Sequence, residues 1–564
     1  MASDGVKYKA FSGLRNNVES ERFTPADLLI ADNVDIDKSG RLARRQGFTR
    51  RNATAAHSLW ASGTQALFVS GTQLMRLNAD FTTSALSSVS GATMSYCQAG
   101  ERVYFSDAAI SGVFESGVTR SWGLAVPAAP GAALVTGSLM AGRYQCAITS
   151  VRTDGQESGA GLATEVIVAG NQSIRITLPT LADTSVASRN IYMTTPNGEL
   201  LYLAATLPRT TLTSDLTAST VAALTFQLAT QFLQPAPAGQ LVAYYKGYML
   251  VAAGNVLYMS EPFAPELFDL RNYIDLGAPI TLLAPLEDKG GAGGLFVGTS
   301  AGCGILAGSG PDDFQYVAKT GYGAIPGTLA YAEGVSIGDG SLGARPIPLW
   351  LSTQGICMGT PGLEIDNLTR GSYNFAASGT GAGLFIPEAE RYIALWSSGA
   401  VALRASAPAQ RPGRPIDPGS RITSYSGFAF NSLAAFNGTY LGASAAGIFE
   451  LVGDSDAGVA IAATVSMGNT DFGSSFDKGV ERLYLGYRAS TALQLSVAVD
   501  DQSARLYELP ALRPADQLHG SRVKVGKGLA GRYWRFELGN TLGGDFSLDE
   551  LEVVPSPRQR RPHA

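Results

Sequence analysis

The stretch that decides the fold is Gly247–Pro262, GYMLVAAGNVLYMSEP. Tyr248, Leu250 and Ala252 alternate along one run, Gly254-Asn255 supply turn chemistry, and Val256, Tyr258 and Ser260 alternate again. Alternation with period two puts successive side chains on opposite faces of a strand. Broken by a Gly/Asn pair, it is the strongest short-range signal for a β-hairpin. The same pattern recurs as ALFVSGTQLMRLN (66–78), RVYFSDAAISGVFES (102–116), GLFVGTSAGCGILAG (294–308) and PLWLSTQGICMGTPG (348–362). It returns as YIALWSSGAVALRA (392–405) and TYLGASAAGIFELVG (439–453).

Working outward from that segment, the matched positions Phe68, Tyr104, Leu250, Phe296, Leu349, Ile393 and Leu441 lie about 36, 146, 46, 53, 44 and 48 residues apart. A unit of about 40–50 residues built from strands has the length of one four-stranded propeller blade. The spacing predicts a β-propeller of six or seven blades, with an insertion where the interval is about 100 residues too long. No copy carries a WD or kelch signature.

Composition agrees with an all-β, turn-rich chain. Charged residues make up 16% of the 564, with 66 glycines and 27 prolines. That length calls for several domains. A formal charge of −5 argues against nonspecific DNA binding through a broad basic face. Cys97, Cys146, Cys303 and Cys357 are scattered beside apolar runs, which predicts buried thiols in a reducing compartment rather than disulfides. No apolar signal core opens the chain, and no window is long enough to cross a bilayer as a helix, so membrane insertion is not expected.

The first 55 residues hold the most distinctive string. Thr24-Pro25-Ala26-Asp27 reads as the cap of a short helix through Leu28–Ala31. Val34 and Ile36 then alternate, Lys38-Ser39-Gly40 turns, and Arg41–Phe48 returns. Asp35-x-Asp37-x-Ser39-Gly40 imitates the start of an EF-hand loop, but Gln46 stands where the closing Glu is required, so a hairpin turn is expected.

Gly13-Leu14-Arg15-Asn16-Asn17, Ala31-Asp32-Asn33-Val34-Asp35-Ile36-Asp37 and Gly40-Arg41-Leu42-Ala43-Arg44-Arg45-Gln46-Gly47 together resemble the opening of tail and neck proteins of tailed bacteriophages. In overall layout the chain is most similar to the tail nozzle, or tail tubular protein B, of short-tailed phages. The string spans about a tenth of the chain. The resemblance implies a structural virion protein, assembled in the host cytoplasm, that forms a six-fold ring retaining and then conducting DNA. Its implied partners are an adaptor or neck protein, tail fibre or needle proteins, and genomic DNA passing through the lumen without sequence-specific binding. Opposite charges on one hairpin, Asp32, Asp35 and Asp37 against Arg41, Arg44 and Arg45, are expected to pair between neighbouring subunits of that ring. The other function class is a phage receptor-binding or glycan-processing propeller.

Residues 126–233 lie between Val126-Pro127-Ala128-Ala129-Pro130-Gly131 and Gln234-Pro235-Ala236-Pro237. Within them GRYQCAITSVRTDGQESGAG resembles a fibronectin type III strand and turn, with Tyr144, Ala147 and Thr149 expected on one face. An inserted fibronectin III/Ig-like β-sandwich is predicted. Residues 464–555 read as a C-terminal β-sandwich with Tyr484, Leu493, Leu495, Trp534 and Phe536 in its core, and 556–564 as a basic tail. The remaining domains are an N-terminal helix-plus-hairpin assembly segment (1–55) and a propeller in two parts (56–125 and 234–463).

Motifs for chemistry are sparse. Gly298-Thr299-Ser300-Ala301-Gly302 spells G-x-S-x-G, but a nucleophile elbow leads into a helix and here another strand, Cys303-Gly304-Ile305-Leu306, follows. Gly379-x-Gly381-x-Gly383 has neither the helix nor the lysine of a phosphate loop. The three histidines, His57, His519 and His563, form no metal or nucleophile spacing. No catalytic, cofactor or metal residue is assigned, and a non-enzymatic protein is expected. Paired carboxylates for glycoside hydrolysis need only proximity in space, which spacing in sequence does not reveal.

Overall fold

The computed structural model describes residues 5–558, apart from 287–292, 309, 312, 335–344, 405–420, 501, 527 and 541. Nearly all regular structure is strand, and the fold class is the β-propeller with a β-sandwich insertion and a C-terminal β-sandwich. The glycine-rich connection at Lys289–Ala292 and the end of the basic tail fall outside the described residues.

Among the described residues seven four-stranded antiparallel meanders recur, and each predicted hairpin supplies the middle two strands of one of them. The third shows why. Tyr248–Ala253 pairs with Val256–Glu261 around Gly254-Asn255, flanked by Leu241–Tyr245 and Ala264–Asp275. Met249 and Val251 turn toward one buried cluster with Tyr104, Trp122 and Phe268. Both faces are covered, so Met249, Leu250, Val251 and Ala252 are all buried in succession. The seventh sheet takes only three strands from its own stretch, Ser432–Phe436, Thr439–Ser444 and Gly447–Glu450. Its fourth is Thr49–Asn52 from the N-terminal segment.

The chain divides into two compact units. One comprises residues 92–280 and 308–314 and holds the second and third meanders with the inserted domain. In that domain Gly131–Leu139, Gln172–Thr177 and Thr213–Leu216 form one sheet. Thr164–Val168, Gly142–Arg152, Val186–Met193 and Tyr202–Pro208 form the other. The strand Gly142–Arg152 corrects one expectation: Tyr144 shares its face with Cys146 and Ile148 in the sandwich core, whereas Ala147 packs in a different cluster with Tyr192 and Leu201. Residues separated by an odd number cannot share a strand face.

The other unit, residues 1–91, 281–307 and 315–564, holds the remaining five meanders and the C-terminal strands. The predicted helix at Leu28–Ala31 is instead the strand Asp27–Asp32. Thr24 still caps locally, its N–H and hydroxyl donating to Asp27 Oδ2 at 2.8 and 2.9 Å, but the chain then pairs with Thr464–Met467. Leu28 and Ala31 are fully buried there, and the partner strand outweighs a weak local propensity. Val6–Lys9 and Leu42–Arg44 both join the long strand Phe546–Pro557, which also pairs with Lys478–Ala489. Leu493, Leu495, Trp534 and Phe536 are buried as expected, but Tyr484 is 38% exposed on the outer face of its sheet. Val34–Ile36 and Leu42–Arg44 form the expected hairpin, turning at Gly40, whose φ is +84° and whose Cα sits where a Cβ would come within 2.4 Å of Ala10 Cα.

Candidate functional site

The six residues expected to pair between subunits all find partners inside the chain. Arg45 is 1% exposed and donates through Nη1 and Nη2 to both oxygens of Asp456 at 2.8 and 2.6 Å, through Nε to Asn33 Oδ1 at 2.7 Å, and to the Gln46 and Ser426 carbonyls. Its guanidinium lies over the rings of Tyr425 and Phe428. Arg44, its side chain 2% exposed, reaches the Asp454 carbonyl and lies within 3.6 Å of the Asp454 and Asp545 carboxylates. Asp35 accepts from Tyr425 Oη and pairs with Arg391 at 2.8 Å. Burial, followed by the charge of Asp35, pushes the Tyr425 phenol well up. Asp32 accepts from the Ser424 and Ser426 hydroxyls, and Asp37 closes its own turn through Ser39 and Arg41. Most of these contacts hold the N-terminal hairpin against residues 421–463 of the same unit, with Arg391 and Asp545 beside them.

A second cluster of arginines and carboxylates lies in the other unit and opens to solvent. Arg102 begins the strand Arg102–Ser106, Glu115 ends the neighbouring Ser111–Glu115, and Arg120 stands on Val118–Ser121. Antiparallel pairing thus brings together three charges far from adjacent in sequence. Arg102 donates from Nε to Glu115 Oε1 at 2.9 Å, from Nη1 to Glu266 Oε1 at 2.8 Å and from Nη2 to Asp154 Oδ2 at 3.3 Å. Arg120 Nη2 lies 3.3 Å from Glu115 Oε2 and 3.7 Å from Glu266 Oε1, so those two oxygens are no more than about 7 Å apart. Hydrogen bonding from Arg102 is the main influence holding the Glu115 carboxyl below its usual range.

Beside these charges is a cleft of ≈ 380 Å³, lined by Arg102, Tyr104, Glu115, Tyr244, Phe263 and Pro265 among others. Phe263 is 82% exposed, an unusual state for so large an apolar ring. It is held at φ +56°, with its N–H donating to the Gly247 carbonyl at 2.8 Å. Its ring comes within 3.0 Å of where a Cβ on Gly247 would stand, and Gly247 itself has φ +86°. Behind the cleft Tyr104 donates to Glu266 at 3.1 Å and its ring lies 5.0 Å from that of Trp122 at a tilt of 50°; the Trp122 indole N–H donates to the Pro265 carbonyl at 2.7 Å. Burial, then the Glu266 charge, pushes the Tyr104 phenol up. One exposed aromatic ring beside fixed carboxylates suits a polar ligand with one apolar face, as a sugar ring has.

Sequence reading missed this cleft because Arg102, Asp154 and Glu266 share no motif. The signal available was local: Arg102 and Glu115 bracket one of the seven hairpins, and Phe263 follows the stretch that defines the repeat. Ser300 lies in the turn between the strands Gly294–Thr299 and Cys303–Ala307. Among the described residues no group of three His, Cys, Asp or Glu side chains is placed to hold a metal ion, and no helix is long and apolar enough to cross a membrane.

No protein-family model and no curated protein matches the chain. Solved structures do. A glycoside hydrolase family 43 arabinoxylan arabinofuranohydrolase from Bacillus subtilis is 11% identical, with 77% of this chain and 96% of that one covered at a TM-score of 0.19. An exo-β-1,3-galactanase from Phanerochaete chrysosporium is 10% identical over 83% and 98%, at 0.17. PorZ, a surface component of the type-IX secretion system of Porphyromonas gingivalis, is 11% identical over 88% and 82%, at 0.24. At such scores no substrate and no residue role passes to this chain. The expectation of a non-enzyme is withdrawn: two of the matched structures are glycoside hydrolases, and paired carboxyl groups brought together by a fold leave no motif in sequence. Searching for histidine, metal and nucleophile motifs does not test for that arrangement.

Proposed function

We propose that the chain is a tail component of a tailed bacteriophage whose propeller engages and processes a surface glycan at the cleft of Tyr104, Glu115, Tyr244 and Phe263. The observation that carries the glycan reading is the pairing of an exposed Phe263 ring with Glu115, a carboxylate held ionised by Arg102 and Arg120. The ring offers a face for the C–H surface of a sugar, and the carboxylate accepts from its hydroxyls. In a cleavage reaction Glu115 fits the role of base or nucleophile, since it gives up its proton readily. Glu266, no more than about 7 Å from it, is the second carboxyl.

The test is a panel of bacterial surface polysaccharides incubated with the full-length protein, followed for binding and for release of reducing ends. Glu115→Gln should abolish release and Phe263→Ala should weaken binding about tenfold or more. If no polysaccharide binds, or both variants behave as the parent, the cleft is only an ionic joint between neighbouring strands.

The nozzle reading keeps one specific support, the N-terminal string shared in form with tail and neck proteins. On that reading the chain is a ring-forming virion subunit beneath an adaptor protein, with fibre or needle proteins attached and DNA passing through. Electron micrographs of the purified protein separate the two: closed rings favour the nozzle, dispersed particles that bind glycan favour the first reading.

A further inference from the structure

The C-terminal strands leave two open edges that the activity above does not use. In the six-stranded sheet the last strand is His519–Lys524, paired on one side only, with Lys478–Ala489. In the ten-stranded sheet the last strand is Arg505–Leu509, paired only with Leu493–Val499. Among the described residues nothing pairs with the far side of either. An unpaired edge presents a row of backbone donors and acceptors, and soluble proteins ordinarily blunt or cover it.

Between these edges runs a groove of ≈ 580 Å³, lined by residues of Leu506–Leu512 and of Gly520–Lys524. Leu506 and Leu512 are 61% and 59% exposed. Register then sorts the side chains of the edge strand. Tyr484 stands opposite Arg522 and Arg482 opposite Lys524 on the outer face, while Val523 stands opposite Leu483 on the buried one. Arg482, Arg522 and Lys524 are exposed, and none has an acidic partner among the described residues. On a chain whose formal charge is −5, this edge has the opposite sign.

We infer that the strand His519–Lys524 accepts an extended acidic segment of another protein as an added antiparallel or parallel strand. Period two dictates what that segment looks like. Residues placed beside Arg522 and Lys524 carry carboxylates, and the alternating residues are apolar and share the face of Val523 beside the groove. Main-chain hydrogen bonds hold the segment, and the two faces select it. Nucleic acid meets the charge requirement but has no alternating apolar face for the groove, so a polypeptide fits better.

Full-length protein should bind a fluorescein-labelled peptide of alternating glutamate and valine saturably, and a lysine–valine counterpart far less. Binding should slow amide hydrogen exchange within residues 519–524. Because both side chains are exposed, Arg522→Glu/Lys524→Glu should keep the far-ultraviolet spectrum and urea midpoint of the parent while weakening the peptide by about tenfold or more. Equal binding of the two peptides, parental affinity in the double variant, or tighter binding of single-stranded DNA would overturn the inference. So would a concentration-dependent dimer of the parent that the double variant disperses, since the edge would then serve a second copy.

Discussion

Arg45 with Asp456 and Arg102 with Glu115 and Glu266 are both arginine–carboxylate clusters, yet they do different work. Every donor group of Arg45 is used within the chain, two aromatic rings flank it, and solvent does not reach it. Arg102 also has carboxylates on three sides, but its side chain is 29% exposed and it borders a cleft. Charge pattern does not distinguish them. What differs is whether hydrogen-bonding capacity and surface remain for a ligand, and only the second cluster keeps both.

The sharpest way to break this contrast is at Arg45. Arg45→Ala leaves Asp456 and Asn33 without their partner in a buried site, and should cost about 3–5 kcal/mol, read as a lowered denaturation midpoint in urea. Arg45→Lys should recover little, since one ammonium cannot meet both Asp456 oxygens and Asn33 in that plane. A loss below about 1 kcal/mol for the alanine variant would remove the distinction. Next is Gly40, in the same hairpin. Gly40→Ala forces a positive φ on alanine and a Cβ onto the Ala10 backbone, and should cost about 1–3 kcal/mol in the same measurement.

On the cleft side, Phe263→Ala should change stability by no more than about 0.5 kcal/mol while weakening glycan binding about tenfold or more. A large stability loss would assign the ring to packing. The smallest effect is in pH. Glu115 ionises more readily in the folded protein than its usual 4.5, so the unfolded chain binds the proton first as pH falls. Its contribution is therefore present above about pH 4.5 and is lost as pH drops through the lower folded value. Glu115→Gln should lower the denaturation midpoint slightly at neutral pH and flatten that part of the acid limb in a plot of midpoint against pH, the two proteins converging at low pH.

Much of the architecture was legible because the hairpins state it locally: alternation, turn and alternation, seven times. What stayed hidden depends on partners distant in sequence. Thr49–Asn52, TRRN, has no apolar alternation, and it is a strand only because Gly447–Glu450 offers an open edge. Leu28–Ala31 read as helix from its cap, and its pairing with Thr464–Met467 lies more than four hundred residues away. The acidic and basic residues of 32–45 were visible as opposite charges on one hairpin, but their partners, Asp456, Arg391 and Ser426, were not. At the cleft, Glu115 and Arg102 were within one quoted hairpin while Glu266 and Asp154 came from elsewhere.

The strand Thr49–Asn52 has a consequence for the order of synthesis. It leaves the ribosome roughly 400 residues before Gly447–Glu450, the strand it completes, and Val6–Lys9 waits longer still for Phe546–Pro557. During translation the N-terminal segment must stay extended and unpaired while the middle of the chain takes shape around its own local turns. Such distant pairings are slow to form and leave strand edges exposed until they do. The nascent chain is therefore most exposed to mispairing with its neighbours on the same message just before its last residues emerge.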